Sequence, residues 1–117
     1  MGSTKFKGSM VQLSGNEIKV GDEAPRVALV TAELAEKEVG LPGRVQVLVV
    51  VPSLDTSVCA VETRKFNEKA AEIKEAEVVV ISMDLPFASK RFCSTEGIQN
   101  LTVASDFRNK EFAKSYG

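Results

Sequence analysis

Apolar residues in this chain fall into short runs divided by polar and glycine-containing stretches, and the two longest runs are rich in β-branched side chains. Val45-Gln46-Val47-Leu48-Val49-Val50-Val51 is nearly continuous, the pattern of a strand covered on both faces in a parallel sheet flanked by helices. Val78 to Met83 repeats it. Between them the spacing turns helical. From Ser57 to about Glu75, Val58, Val61, Phe66, Ala70 and Ile73 share one broad face, and Arg64 and Glu68 form an exposed i,i+4 pair. Strand, helix and strand predict one right-handed βαβ unit. Upstream, Lys5 to Leu13 alternates around Gly8-Ser9 as a hairpin would. Gly21 to Pro25 reads as a loop and Val27 to Thr31 as a strand; a polar segment then leads to a turn at Gly40-Leu41-Pro42-Gly43. Downstream, Pro86 opens a helix carrying Phe87, Phe92 and Cys93. Leu101 to Ser105 is a short strand and Asn109 to Tyr116 a terminal helix. No repeat or low-complexity tract interrupts this order. A two-faced apolar strand at 45–51 needs a neighbour on each side, and too few strands follow to provide them. The pattern is that of the first two-thirds of an α/β domain.

A length of 117 residues predicts a single domain, 1–117, with a modest core. The net charge of −1 leaves no nucleic-acid footprint and no basic face for a membrane surface. The longest apolar run, Val47 to Pro52, is far too short to cross a bilayer. No charged segment followed by an apolar one opens the chain, so the expected compartment is the cytoplasm. Thiols there are held reduced, and a cysteine pair is catalytic or redox-active more often than a permanent staple. The absence of histidine removes Ser-His-Asp and Cys-His catalysis and the HExxH zinc site. Two cysteines without a CxxC cannot make a structural zinc site alone, and the glycine-rich phosphate-binding signatures are missing.

The remaining chemistry centres on Pro52-Ser53-Leu54-Asp55-Thr56-Ser57-Val58-Cys59, which leaves the first apolar strand and enters the helix. With Thr56 as N-cap, Cys59 is the third helical residue, from which its sulfur can face the free N–H groups of the first turn. Those donors and the positive end of the helix dipole favour thiolate over thiol. Pro52 stiffens the loop, and the Thr56 hydroxyl can both donate and accept. Such a pocket suits a hydroperoxide, which needs one donor and one acceptor. Thiolate attack on the O–O bond gives a sulfenic acid that a second thiol condenses to a disulfide; Cys93 is the only second thiol here. Residue types and spacing leave a plainer reading open. In it, both cysteines are inert core residues, Thr56 is only a cap, and Asp84 and Arg91 are solvated or capping charges.

Pro52-x-x-x-Thr56-x-x-Cys59 resembles the active-site signature of peroxiredoxins, and the fuller Pro52–Cys59 segment is similar to that of the bacterial thiol peroxidases, which are atypical 2-Cys peroxiredoxins. Asp84-Leu85-Pro86-Phe87-Ala88-Ser89-Lys90-Arg91-Phe92-Cys93 resembles the segment bearing that subfamily's resolving cysteine, and Val103-Ala104-Ser105-Asp106-Phe107-Arg108 is also similar to a segment of that subfamily. The resemblance implies a thioredoxin-like (peroxiredoxin) fold with an N-terminal β-hairpin. Cys59 would be the peroxidatic nucleophile and Cys93 the resolving thiol; Thr56 would hydrogen-bond thiolate and peroxide, and Pro52 would shield the site. It implies reduction of hydrogen peroxide and alkyl hydroperoxides, an intrachain disulfide recycled by thioredoxin, no metal or organic cofactor, and a homodimer. Because the two sulfurs sit on separate helices, local unwinding would precede the disulfide. Closing a loop of about 35 residues would stabilise the oxidised chain by up to ~3.8 kcal/mol in the chain-entropy model.

Members of that family continue for roughly another third, with two more strands, a closing helix and the arginine that completes the peroxide pocket. No residue before Gly117 matches that arginine. Either the sequence is a piece of a longer protein or the protein is itself truncated before its C-terminal strands and helix; the second case predicts weak or absent peroxidase activity and poor solubility. Two other functions fit the residues less well. A non-catalytic redox sensor would use the Cys59–Cys93 disulfide as a switch. A general disulfide reductase is disfavoured by the lack of CxxC.

Overall fold

The computed structural model describes residues 2–73 and 75–117. Ten elements follow one another: β1 (Ser3–Phe6), β2 (Ser9–Gln12), β3 (Val27–Thr31), β4 (Glu36–Val39), β5 (Val45–Val50), α1 (Ser57–Ala70), β6 (Ala76–Ser82), α2 (Pro86–Glu96), β7 (Thr102–Ser105) and α3 (Glu111–Tyr116). β1 and β2 form a separate hairpin, while the other strands make one sheet in the order β4-β3-β7-β6-β5. β5, β6 and β7 run parallel, and β3 is antiparallel to both β4 and β7. The α/β fold with an N-terminal hairpin agrees with the sequence pattern.

The hairpin turns at Lys7-Gly8, one residue before the expected Gly8-Ser9. Both have positive φ, 50° and 84°, as a two-residue type I′ turn requires, and Phe6 pairs with Ser9. β4 lies in what read as a merely polar segment. Its Glu-Lys-Glu-Val sequence has weak strand propensity, but at a sheet edge charged residues face solvent without penalty and blunt further pairing. Lys37 of β4 donates to Glu77 of β6, which also accepts from Gln46 of β5. Burial pushes the Glu77 carboxyl up, but these two hydrogen bonds and the Lys37 and Arg44 charges outweigh it and leave its pKa lowered.

The expectation for residues 45–51 fails on burial. β5 is an edge strand among the described residues, with β6 as its partner, and Val45 and Val50 are 64% and 60% exposed. β6 is the strand buried on both faces. Val78 and Val80 join Val49, Val51, Leu54, Cys59, Ile98 and Val103 on the side covered by α1 and α2. Val79 and Ile81 join Val27, Leu29, Val39, Ala104 and Phe112 on the side covered by α3. Each such side chain contributes on the order of 1.5–3 kcal/mol when removed from water.

α1 is shorter than expected, ending at Ala70 with Ala71 as C-cap, so Ile73 and Glu75 lie beyond it; Lys74 is outside the described residues. Its inward face also differs. Val58 and Val61 are 75% and 47% exposed, and the buried stripe runs through Cys59, Thr63, Phe66 and Ala70. Arg64 does not pair with Glu68; its Nη1 reaches Glu96 Oε1 of α2 at 3.0 Å. α2 begins at Pro86, as the sequence indicates. α3 begins two residues later than expected, because the buried Asp106 carboxylate accepts the N–H groups of Phe112 and Ala113 and sets the helix start there.

Candidate active site

The parallel pairing of β5 with β6 brings the loops after both strands together at the C-terminal end of the sheet, where α/β sheets place their sites. The pairing continues past the strands: Val51 N–H donates to Ile81 O at 2.9 Å, and Met83 N–H to Pro52 O at 3.3 Å. Ser53 Oγ then donates to Asp84 Oδ1 and Leu54 N–H to Asp84 Oδ2, each at 2.7 Å. Asp55 N–H donates to Ser53 Oγ at 3.1 Å, and Thr56 Oγ1 donates to Ser53 O at 3.0 Å. The buried Leu54 side chain pins this turn to the core.

Thr56 occupies the N-cap position with extended φ/ψ of −120° and 145°, but its side chain does not cap the helix. The hydroxyl is turned back to Ser53, so side-chain capping, which the sequence suggested, does not occur. No described side chain accepts the first N–H groups of α1, and these donors are left for solvent, a ligand or sulfur. Cys59 is the third residue of α1 and 9% exposed. Pro52 and Thr56 are both exposed.

Cys93 lies in the last turn of α2, half-buried, against the same apolar cluster that contains Cys59. The two thiols are free. Burial pushes the Cys93 thiol pKa up, and the negative charge of Glu33 in the β3–β4 turn adds to the rise. Glu33 also lies 3.5 Å from Lys90 Nζ. α2 stops at Gly97, whose φ of 66° gives a left-handed C-cap, and the Cys93 carbonyl accepts the N–H groups of both Gly97 and Ile98. A groove of about 820 Å³ separates the 53–55 turn from α2 and is lined by Asp84, Phe87, Arg91 and Phe92 among others; neither sulfur lines it.

The structure thus gathers Pro52, Thr56 and Cys59 on one loop and helix start, and sets Cys93 against the same core on a neighbouring helix. Asp84, which read as a solvated or capping charge, instead accepts two hydrogen bonds from the loop. The signal was present in the register: extending the offset of Val50 with Ile81 along both chains sets Ser53 beside Asp84. Arg91 is exposed on the groove wall. Among the described residues no cluster of three or more His, Cys, Asp or Glu side chains could hold a metal, and no helix is long and apolar enough to cross a membrane.

Residues 19–117 match the Redoxin family model. The chain is 56% identical over 117 residues to a thiol peroxidase of Campylobacter jejuni, covering all of this chain and 67% of that one. It is 54% identical over 116 residues to the thiol peroxidase of Aquifex aeolicus, covering 98% of this chain and 68% of that one. Among solved structures, a peroxiredoxin-like protein from Aquifex aeolicus superposes with a TM-score of 0.91 at 54% identity, over 96% of this chain and 66% of that one. The thiol peroxidase from Chromobacterium violaceum, 22% identical, shares the fold with a TM-score of 0.80, over 98% of this chain and 67% of that one. The chain spans about two thirds of the length of these relatives. On this identity, coverage and fold, the chain belongs to the redoxin family, among its bacterial thiol peroxidases.

Proposed function

We propose that this chain carries the thiol chemistry of a peroxidase, with Cys59 as nucleophile and Cys93 as resolving thiol. One observation supports the reading above others: Cys59 stands in the first turn of α1, whose opening N–H groups no described side chain caps, and belongs to the apolar cluster against which Cys93 packs. The Cys59 thiolate attacks one peroxide oxygen, the O–O bond breaks, and the departing alkoxide or hydroxide takes up a proton to leave as alcohol or water. The uncapped amides would stabilise negative charge on the sulfur and on the departing oxygen. Cys59 is oxidised to sulfenic acid. The Cys93 thiolate attacks that sulfur, the S–O bond breaks, and the oxygen leaves as water after protonation. A dithiol reductant of the thioredoxin class then exchanges with the disulfide and restores both thiols.

Hydrogen peroxide and alkyl hydroperoxides are the substrates in this reading. Pro52 and Thr56, on the exposed loop before α1, would border the peroxide, with Thr56 Oγ1 keeping its bond to Ser53 O and accepting the peroxide O–H on a free lone pair. The cytoplasm is the compartment that keeps such thiols reduced. The exposed Val58 and Val61 on the outer side of α1 support a homodimer contact.

Stopped-flow oxidation of the parent chain, Cys59→Ser and Cys93→Ser tests the assignment. Cys59→Ser is expected to abolish the first oxidation; Cys93→Ser should spare it and block cycling with thioredoxin. Equally fast oxidation of both variants overturns the roles.

A further inference from the structure

We infer that Asp84 is a positioning residue for the nucleophile, an inference resting on the reading of Cys59 as the reactive sulfur. The carboxylate takes Ser53 Oγ–H on one oxygen and Leu54 N–H on the other, each at 2.7 Å. Ser53 passes the constraint on, accepting Asp55 N–H at Oγ and Thr56 Oγ1–H at its carbonyl. The hydrogen bonds of the 53–56 turn therefore converge on one carboxylate, beside the buried Leu54 side chain, and the next residue begins α1.

Asp84 is itself fixed. Its carbonyl accepts Ser105 Oγ–H from the end of β7, and its N–H donates to Ser82 Oγ. Two residues later Pro86 starts α2, the helix of Cys93. One residue thus joins the turn before the nucleophile helix to the root of the resolving helix. Hydrogen bonds from two donors to one ionised carboxylate are short and directional. Thr56 does not close the helix start with its own side chain, so the clamp replaces a cap as the device that orients the first turn. A nucleophile displaced by a fraction of an ångström reacts more slowly, because its approach to the O–O bond is no longer prepaid.

The test uses the full chain in a Cys93→Ser background, so that sulfenic acid formation at residue 59 is the only step followed. Asp84→Ala is expected to slow that step at least about tenfold, because the first turn of α1 is no longer held in the reactive geometry. Ser53→Ala should slow it too, and the double substitution should be no worse than Asp84→Ala alone. Ser53→Thr, which keeps the hydroxyl, should restore the rate. Should Asp84→Ala fail to fold, the Ser53→Ala and Ser53→Thr pair carries the same comparison. Unchanged rates in folded Asp84→Ala or Ser53→Ala, or additive losses, overturn the inference. Cys59→Ser run alongside keeps the two ideas apart: persistent oxidation there sinks the nucleophile assignment, whereas its loss beside a full-rate Asp84→Ala sinks only the positioning role.

Discussion

The hydroxyl of Thr63 donates to the carbonyl of Cys59 at 2.8 Å, and Thr63 has no exposed surface. One turn of α1 therefore carries both the candidate nucleophile and the buried polar group that lets this face turn inward. A threonine satisfied by its own helix can be buried without an orphaned hydroxyl, and with it inside, Val58 and Val61 are left outside.

That rotation has a measurable consequence. At concentrations dilute enough to keep the chain monomeric, Val58→Ala and Val61→Ala should change unfolding free energy by no more than about 0.5 kcal/mol, as surface substitutions do. Phe66→Ala, on the inward stripe but only half-buried, should cost about 2–3 kcal/mol, less than the roughly 3–5 kcal/mol of a fully buried phenylalanine. Urea denaturation of the three variants checks the contrast, and a loss at Val58 matching that at Phe66 would restore the face expected from the valines.

The sequence made legible what rests on period and on local turn chemistry. The two-faced run of β6, Pro86 at the start of α2 and the loop delivering Cys59 could all be read from neighbouring residues. The position of β5 could not, because its apolar run looks the same at an edge as at a centre, and sheet order is decided by contacts far along the chain. β4 was invisible for the opposite reason: its charges suit an edge strand as well as a loop. The inward face of α1 was misplaced because a valine scores as buried and a threonine as exposed, whatever hydrogen bond the fold supplies. Asp84 needed the strand register, which only pairing reveals.

The Cys93 environment predicts how the resolving step depends on pH. Burial, and then the Glu33 charge, hold its thiol protonated above the ordinary thiol range, while attack on the sulfenic acid requires the thiolate. Disulfide formation from preformed Cys59 sulfenic acid should therefore quicken as pH rises through the alkaline range. In Glu33→Gln the profile should move to lower pH but not reach that of a free thiol, since burial remains. Rapid-mixing measurements at a series of pH values on the two proteins decide it; superimposable profiles would show that Glu33 exerts no field at Cys93. The sign for stability follows from the same shift. A thiol with a raised folded pKa contributes stability that is full below the unfolded value and is lost as pH climbs through the folded one. Cys93→Ser should accordingly flatten part of the alkaline decline in unfolding free energy, while Tyr116, whose pKa burial also raises, leaves the rest.

Disulfide formation must also overcome the way α2 ends. The Cys93 carbonyl holds the N–H groups of Gly97 and Ile98, so moving this cysteine toward Cys59 breaks the C-cap. Gly97 has a φ of 66°, and an added Cβ would meet nothing within 4 Å, so an alanine there is opposed by backbone conformation alone. Gly97→Ala should destabilise the reduced chain by about 1 kcal/mol. If the frayed cap is the structure that opens during resolution, most of that cost falls on the closed state and is relieved on opening. Disulfide closure should then accelerate by up to about fivefold, the equivalent of 1 kcal/mol, with the first oxidation at Cys59 unchanged. Mass-resolved quenching of a single peroxide turnover measures both steps. A destabilised Gly97→Ala chain that closes its disulfide at the parent rate would show that α2 moves as a rigid body, with its last turn intact.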